Sequence, residues 1–233
     1  MSTAKKVTPE TPKATVPRRK KTVAAPRPEK RNKPTRAERA NQVRERILNA
    51  AEKIVRERGY QNASVGRIAI EADVAQGTIY LYFETRQHLL DELLPYAGQK
   101  AMKYIGGAIR GAKNFREVEE RAVIAFFEYM RDNPGYHRVL NEAQFAAPAG
   151  HRKHFQDLIA RYVASMKRSV RDGTLKDYSD TELEVAAYTM MAARSYLYLA
   201  YVEYGEFDMP PKEVIDAYLE CHYLIQNNEP TRS

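Results

Sequence analysis

The sequence predicts an all-α fold in two parts, a small N-terminal helical module and a larger C-terminal helical bundle. Three observations carry this. Apolar residues recur at three-to-four spacing through most of the chain after Pro34, the period of one face of an α-helix. No stretch alternates with period two for long enough to make a strand. The periodic segments are separated by "DNPG" (132–135), "APAG" (147–150), "RDG" (171–173) and "MPP" (209–211), which are turn and break signals.

Residues 1–35 read differently from the rest. They hold seven lysines and four arginines against Glu10 and Glu29, a net +9, while the whole 233-residue chain carries +8. The basicity therefore belongs to the tail. Six of the twelve prolines lie there too. Such a segment cannot bury enough apolar surface to offset its ordering entropy, so it is expected to be a disordered basic arm with a polyanionic partner, nucleic acid above all. The expected division is a basic tail over 1–35, a small helical module over 36–96, a larger helical bundle over 97–228, and a disordered end over 229–233. Cys221 is the single cysteine, which excludes an internal disulfide and a Cys-rich zinc site. No secretory leader or membrane-spanning run is legible, and the expected location is the cytoplasm.

Taken in order, the first element is a helix with Val43, Ile47, Ala50, Ala51, Ile54 and Val55 on one face, ended by Gly59. Asn62 and Ser64 offer caps for a short helix that turns Val65, Ile68 and Ala69 inward. "EADVA" interrupts the pattern. A second short helix follows over Gln76–Tyr82, and Thr85 caps a longer one from Arg86. Beyond Gly98, helices are placed near 99–111, 114–132, 135–146, 151–172, 179–204 and 211–226.

Two short helices joined by a tight turn, the second with polar and aromatic residues outside, describe a helix-turn-helix. Val65, Ile68, Ala69, Val74, Ile79 and Phe83 lock the pair. That leaves Gln76, Gly77, Thr78, Tyr80, Leu81 and Tyr82 facing outward, toward a major groove about 12 Å wide. Gly77 permits close backbone approach. The hydroxyls of Thr78, Tyr80 and Tyr82 suit phosphates, Gln76 suits an adenine edge, and Leu81 suits a thymine methyl. Arg36, Arg44, Ser64, Arg67 and Arg86 complete the expected DNA-contact set.

The ordered set Ile47–Leu48–Ala50–Ala51, Gly59–Tyr60, Ser64, Ile68–Ala69, Ala72–Val74, Thr78–Ile79–Tyr80, Phe83 and Leu89–Leu90 resembles the DNA-binding domain of the TetR family of bacterial transcriptional regulators. It departs from the family pattern where Asp73 stands for glycine, Ala75 for a serine cap, and Tyr82 and Arg86 for His and Lys. The resemblance implies that 36–96 is the DNA-binding domain and 97–228 an effector-binding and dimerisation domain, in a homodimer whose small ligand releases DNA. It also implies that the protein works in the bacterial cytoplasm, on the nucleoid when bound to DNA. The implied function is a ligand-responsive regulator, a repressor on a palindromic double-stranded operator.

In the C-terminal half, helix 179–204 is apolar on two sides. One row is Leu183, Ala187, Met190, Arg194, Leu197 and Tyr201. The other is Val185, Tyr188, Ala192, Tyr196 and Leu199. Helix 211–226 carries Val214, Tyr218, Cys221 and Ile225 at similar spacing. The expected dimer face combines Tyr188, Ala192, Tyr196, Val214, Tyr218, Cys221 and Ile225. An adaptable apolar pocket is expected among Ile105, Ile109, Phe126, Phe127, Met130, Phe145, Tyr162, Met166, Met190 and Tyr198. Arg194, a charge in an apolar row, needs a partner. Glu142 and an anionic ligand head group are the two candidates. The expected effector is small and mainly apolar, acyl or aromatic.

An enzyme is not expected. There is no phosphate-cradling glycine loop and no G-x-S-x-G elbow. His151 and His154 sit three apart, but Arg152 and Lys153 beside them favour a solvated face over a metal site. No cofactor is expected. The competing class is a ligand-independent architectural or nucleoid-associated DNA-binding protein, which a basic tail would also suit and which would have no cavity in its bundle.

Overall fold

The computed structural model describes Met1 and residues 35–227, with side chains to Cys221. The basic tail and the last six residues lie outside the described residues, as does the side chain of Ile225. Among the described residues there are nine α-helices and no strand: α1 (Arg36–Arg58), α2 (Val65–Glu71), α3 (Gln76–Tyr80), α4 (Arg86–Ala108), α5 (Phe115–Asp132), α6 (Tyr136–Ala146), α7 (Pro148–Arg171), α8 (Asp180–Tyr198) and α9 (Lys212–Asn227). A 3-10 turn, Tyr60–Asn62, follows α1, and a π-helical turn, Leu199–Glu203, continues α8.

Helix ends follow local chemistry. Ser64, Thr85, Asn114 and Ser179 cap α2, α4, α5 and α8 through their side-chain oxygens. Ser179 and Glu182 form a full capping box. At the end of α2, the Val74 N–H donates to Ala69 O and the Asp73 N–H to Ile70 O. Asp73 holds φ +51° there, the left-handed position at which a helix turns off its last carbonyls. Ala75 precedes α3 without a side-chain cap, as its methyl group dictates.

One expectation is corrected. Gly98 starts nothing: α4 runs unbroken from Arg86 to Ala108, across the boundary expected near residue 96. Gly98 is instead a point of close approach. A Cβ there would lie 2.2 Å from Cε1 of His154 on α7, and a Cβ on Gly150 of α7 would lie 1.9 Å from the Asp91 carbonyl oxygen of α4. Only glycine lets these helices meet so closely. The Gly150 N–H also donates to Asp91 Oδ1 at 3.1 Å.

Helix α4 is the central rod, about 34 Å long for its 23 residues. It packs on α1, α5, α6 and α7, while α8 rests on α7 and α9 on α5. Leu89, Leu90, Leu93, Leu94 and Ala97 bury its inner face. Polar ties bind it to α1. Lys100 Nζ donates to Glu52 Oε2 at 2.6 Å and to Asn49 Oδ1 at 2.7 Å, and Tyr96 donates to Asn49 at 2.9 Å. Helix α6 holds the end of α1. Glu142 accepts the Tyr60 N–H at 2.9 Å, and Tyr60 donates its hydroxyl to Val139 O at 3.2 Å.

Candidate nucleic-acid interface and effector cavity

Helices α2 and α3 lock together through Val65, Ile68, Ala69, Ala72, Ile79 and Phe83, all buried. Val74 packs half-buried against them. With Ile79 turned inward, Gln76, Gly77, Tyr80 and Leu81 lie on the surface and Thr78 and Tyr82 at its edge. Leu81 is 82% exposed. Nothing lies within 4 Å of a Cβ built on Gly77, so the start of α3 is open to a partner. Ile70 on α2 is 83% exposed and was not singled out from sequence. Its place outside the inward stripe of α2 was the available signal.

The arginines divide. Arg36 is exposed at the start of α1. Arg67 folds over Asn62, donating to its backbone O at 3.1 Å and Oδ1 at 3.0 Å, while its N–H is capped by Ser64 Oγ at 3.3 Å. Two arginines of the expected DNA-contact set are held by groups of the protein itself. Arg86 donates to Ala63 O at 2.9 Å and Tyr60 O at 2.8 Å, satisfying carbonyls of the turn between α1 and α2. Arg44 pairs with Glu92 and lies 5.4 Å from the centre of the Phe83 ring.

Deeper in the bundle, Arg194 is buried with Glu119, not with Glu142 as one reading of the sequence had it; Glu142 is engaged by Tyr60. The Arg194 Nη2 donates to Glu119 Oε1 and, at 2.5 Å, to the Tyr162 hydroxyl. Its Nε donates to the Tyr218 hydroxyl at 3.0 Å. Tyr162 and Tyr218 in turn donate to Glu119. Each tyrosine hydroxyl thus accepts from the cation and donates to the anion. Burial alone would raise the Glu119 carboxyl, but Arg194 and the two hydroxyls outweigh it and hold its pKa below the ordinary value. Sequence reasoning missed Glu119, although it falls at helical spacing among Phe115, Ala122, Val123 and Phe126 of α5.

This cluster closes one end of a cavity of about 80 Å³ bounded by α4, α5, α6, α7 and α8. Phe126, Tyr162 and Arg194 of the expected ligand set line it, as does Ile105. Met102, His154, Leu158 and Met191 line it too and were not expected. The remaining expected residues are elsewhere. Phe127 and Met130 are sealed in the main core, and Met166 and Met190 form a smaller core with Phe115 and Leu183. Tyr198 stacks 4.5 Å from His137. Ile109 is half-buried at the C-terminal end of α4, and Phe145 is 83% exposed on α6.

The expected dimer face is partly corrected. On α8, Val185, Tyr188, Ala192 and Tyr196 form an exposed apolar row, opposite the buried row Leu183, Ala187, Met190, Arg194 and Tyr198. On α9, Cys221 is exposed and Val214 half-buried, but Tyr218 points inward to complete the Arg194 cluster. Among the described residues no group of three or more His, Cys, Asp or Glu side chains could hold a metal ion. No described helix is long and apolar enough to cross a membrane.

Residues 47–93 match the family described as "Bacterial regulatory proteins, tetR family". The chain is 24% identical over 181 residues, 76% of its length and 93% of the relative's, to an uncharacterised HTH-type transcriptional regulator, YhgD, of Bacillus subtilis. Its fold superposes with a TM-score of 0.69 on a Rhodococcus sp. protein assigned to the TetR family, at 18% identity, covering 80% of this chain and 100% of that one. It also superposes, with a TM-score of 0.61 and 17% identity over 78% and 97% of the two chains, on the transcriptional regulator FadR from Bacillus subtilis, described in complex with stearoyl-CoA. The fold and the α2–α3 unit thus define a helix-turn-helix transcriptional regulator. Over residues 47–93 the chain carries the DNA-binding domain described for the TetR family.

Proposed function

We propose that the protein is a ligand-responsive repressor that binds a two-fold symmetric operator as a homodimer and is released by a small, mainly apolar effector. The observation that carries DNA recognition is the outer surface of α3. A helix locked on one side by Ile79 and Phe83 presents Tyr80 and Leu81 to solvent, as a helix that enters a major groove must. In this reading Gln76, Gly77, Thr78, Tyr80, Leu81 and Tyr82 face the groove, and Ser64, Arg67 and Arg36 flank it. The exposed row of α8, with Val214 and Cys221 of α9, is the surface offered to a second copy. The cavity between α4 and α8 supports effector control over an architectural role, and the stearoyl-CoA bound by the FadR relative supports an acyl or aromatic ligand. Occupation would act through α4, whose first residue braces the turn that precedes α2.

Selection of duplexes from a random library by the purified protein is expected to yield a two-fold symmetric motif. Enrichment without symmetry, at a stoichiometry of one chain per duplex, would defeat the dimer reading. The basic tail adds phosphate contacts, each contributing roughly −0.9 to the slope of log affinity against log salt. Deleting residues 1–34 should flatten that slope on operator and scrambled duplexes alike. An unchanged slope would make the tail a passenger.

A further inference from the structure

We propose that the cavity takes an uncharged, mainly apolar molecule carrying a single hydrogen-bonding group, which meets His154, and that it rejects carboxylates. This rests on the effector reading above and narrows it.

The walls supply the apolar part. Met102, Ile105, Phe126, Leu158 and Met191 are among the apolar side chains of the lining. Arg194 carries the one formal charge among the lining residues. That charge is already matched, because Glu119 is in direct contact with it and the two tyrosine hydroxyls bridge the pair. A carboxylate entering beside Arg194 would lose its hydration and meet the Glu119 anion as well as the cation. Burying a charge without its own counter-charge is costly. The same closure that makes Arg194 stable in the core removes it as an anchor for an anionic head group.

His154 supplies the hydrogen bond. Its ring lines the cavity, is 3% exposed, and its Nδ1 has no hydrogen-bond partner. It is the one such side-chain atom among the described residues, and buried polar atoms left unpaired are rare in native proteins. The site is built to hold the ring, since the space against α4 that it occupies exists because residue 98 is glycine. Burial pulls its pKa down to about 4, so the ring is neutral at pH 7 and offers one donor and one acceptor nitrogen. Nδ1 lies on the side of the ring that faces Gly98, itself a lining residue, so a hydroxyl or amide that enters between the ring and α4 pairs it, whereas a hydrocarbon leaves it orphaned. The cavity is also small, about 80 Å³ against roughly 300–1,000 Å³ for sites that hold drug-sized ligands. Even a single ring must move its walls, and Gly98, Ala101, Met102 and Ile105 put α4 among them.

The test uses the full chain labelled with ¹³C-methyl methionine, with Met102 and Met191 reporting from the cavity. The probes are benzyl alcohol, toluene, benzoate and benzylammonium at pH 7, with 1-hexanol and hexanoate as an aliphatic pair. Benzyl alcohol and 1-hexanol are expected to move both methyl resonances. Benzyl alcohol should bind about tenfold tighter than toluene, the scale of one hydrogen bond, and both alcohols should exceed the ions by at least that factor. In His154→Phe the alcohol should lose its advantage over toluene while toluene binding persists, and His154→Gln should restore part of it. Benzoate binding as tightly as benzyl alcohol overturns the proposal and leaves the effector reading standing. An alcohol preference that survives His154→Phe overturns the role of His154. If that variant fails to fold by circular dichroism, the wild-type ranking and His154→Gln decide. If no probe moves either methyl resonance, the cavity takes no such ligand, and the effector reading falls with the proposal.

Discussion

The two ends of α4 sit in contrasting surroundings. Its N-terminal end enters the helix-turn-helix, where the interior is apolar and polar groups work at helix ends: Ser64 under Arg67, Thr85 under His88, Arg86 over the carbonyls of Tyr60 and Ala63. Its C-terminal half borders a cavity whose floor is a buried ion pair with two tyrosines and an orphaned imidazole nitrogen. In the first region these groups are satisfied within a few residues or by a backbone carbonyl, which favours one shape. The second holds its polarity in long-range side-chain pairs, an arrangement in which removing one member strands the others. Local and long-range polar satisfaction are thus segregated along one helix.

The largest effect should come from breaking the buried pair. Glu119→Gln keeps the shape but leaves Arg194 charged and uncompensated, at a cost of about 3–5 kcal/mol, read as a lower urea midpoint. The double variant Glu119→Leu with Arg194→Met should recover most of that loss. If the single variant is as stable as the wild type, the cluster does not hold the bundle together.

Acid should act on the same region next. The folded-state pKa of His154 lies near 4, below its ordinary 6.5, so the unfolded chain takes up a proton first. Its contribution is fully present above about pH 6.5 and is lost as pH falls toward 4. Thermal melts of the wild type should therefore drop more steeply than those of His154→Phe across that window. Parallel curves would mean that the ring is not held neutral.

In the helix-turn-helix the effects should be smaller and separable. Ser64→Ala removes one cap and should cost about 1 kcal/mol. Tyr80→Ala, which truncates a side chain half-exposed on α3, should leave the melting temperature within experimental error and weaken operator binding about tenfold, the scale of one phosphate contact. Unchanged affinity measured by fluorescence anisotropy would move the DNA face away from Tyr80.

What the sequence revealed follows the same division. Ser64 and Thr85 were legible because a cap is decided by neighbours within four residues. The inward set of the helix-turn-helix was legible because one stripe serves one partner. In the bundle, periodicity showed that Arg194 shares a face with Met190 and Leu183, but not that α5 would bring Glu119 to it. Tyr218 was assigned outward because its stripe is amphipathic, and its hydroxyl was claimed by the cluster. Gly98 looked like an end because glycine usually is one, and only the ring of His154 against it shows otherwise.

The paired glycine contacts between α4 and α7 also set how force travels. On α4 the two touching points, Asp91 and Gly98, are seven residues apart, about 10 Å along the axis. Backbone or a buried ring fills the gap at both, so sliding one helix past the other meets a hard stop in either direction. A rod seated at two places on one partner neither travels along it nor pivots against it. Ile105, in the cavity wall, lies about 10 Å beyond one pin, and Arg86 about 7 Å beyond the other. Both therefore overhang the same two-point seat, and any displacement that begins at Ile105 and reaches the turn before α2 must carry α7 along with α4.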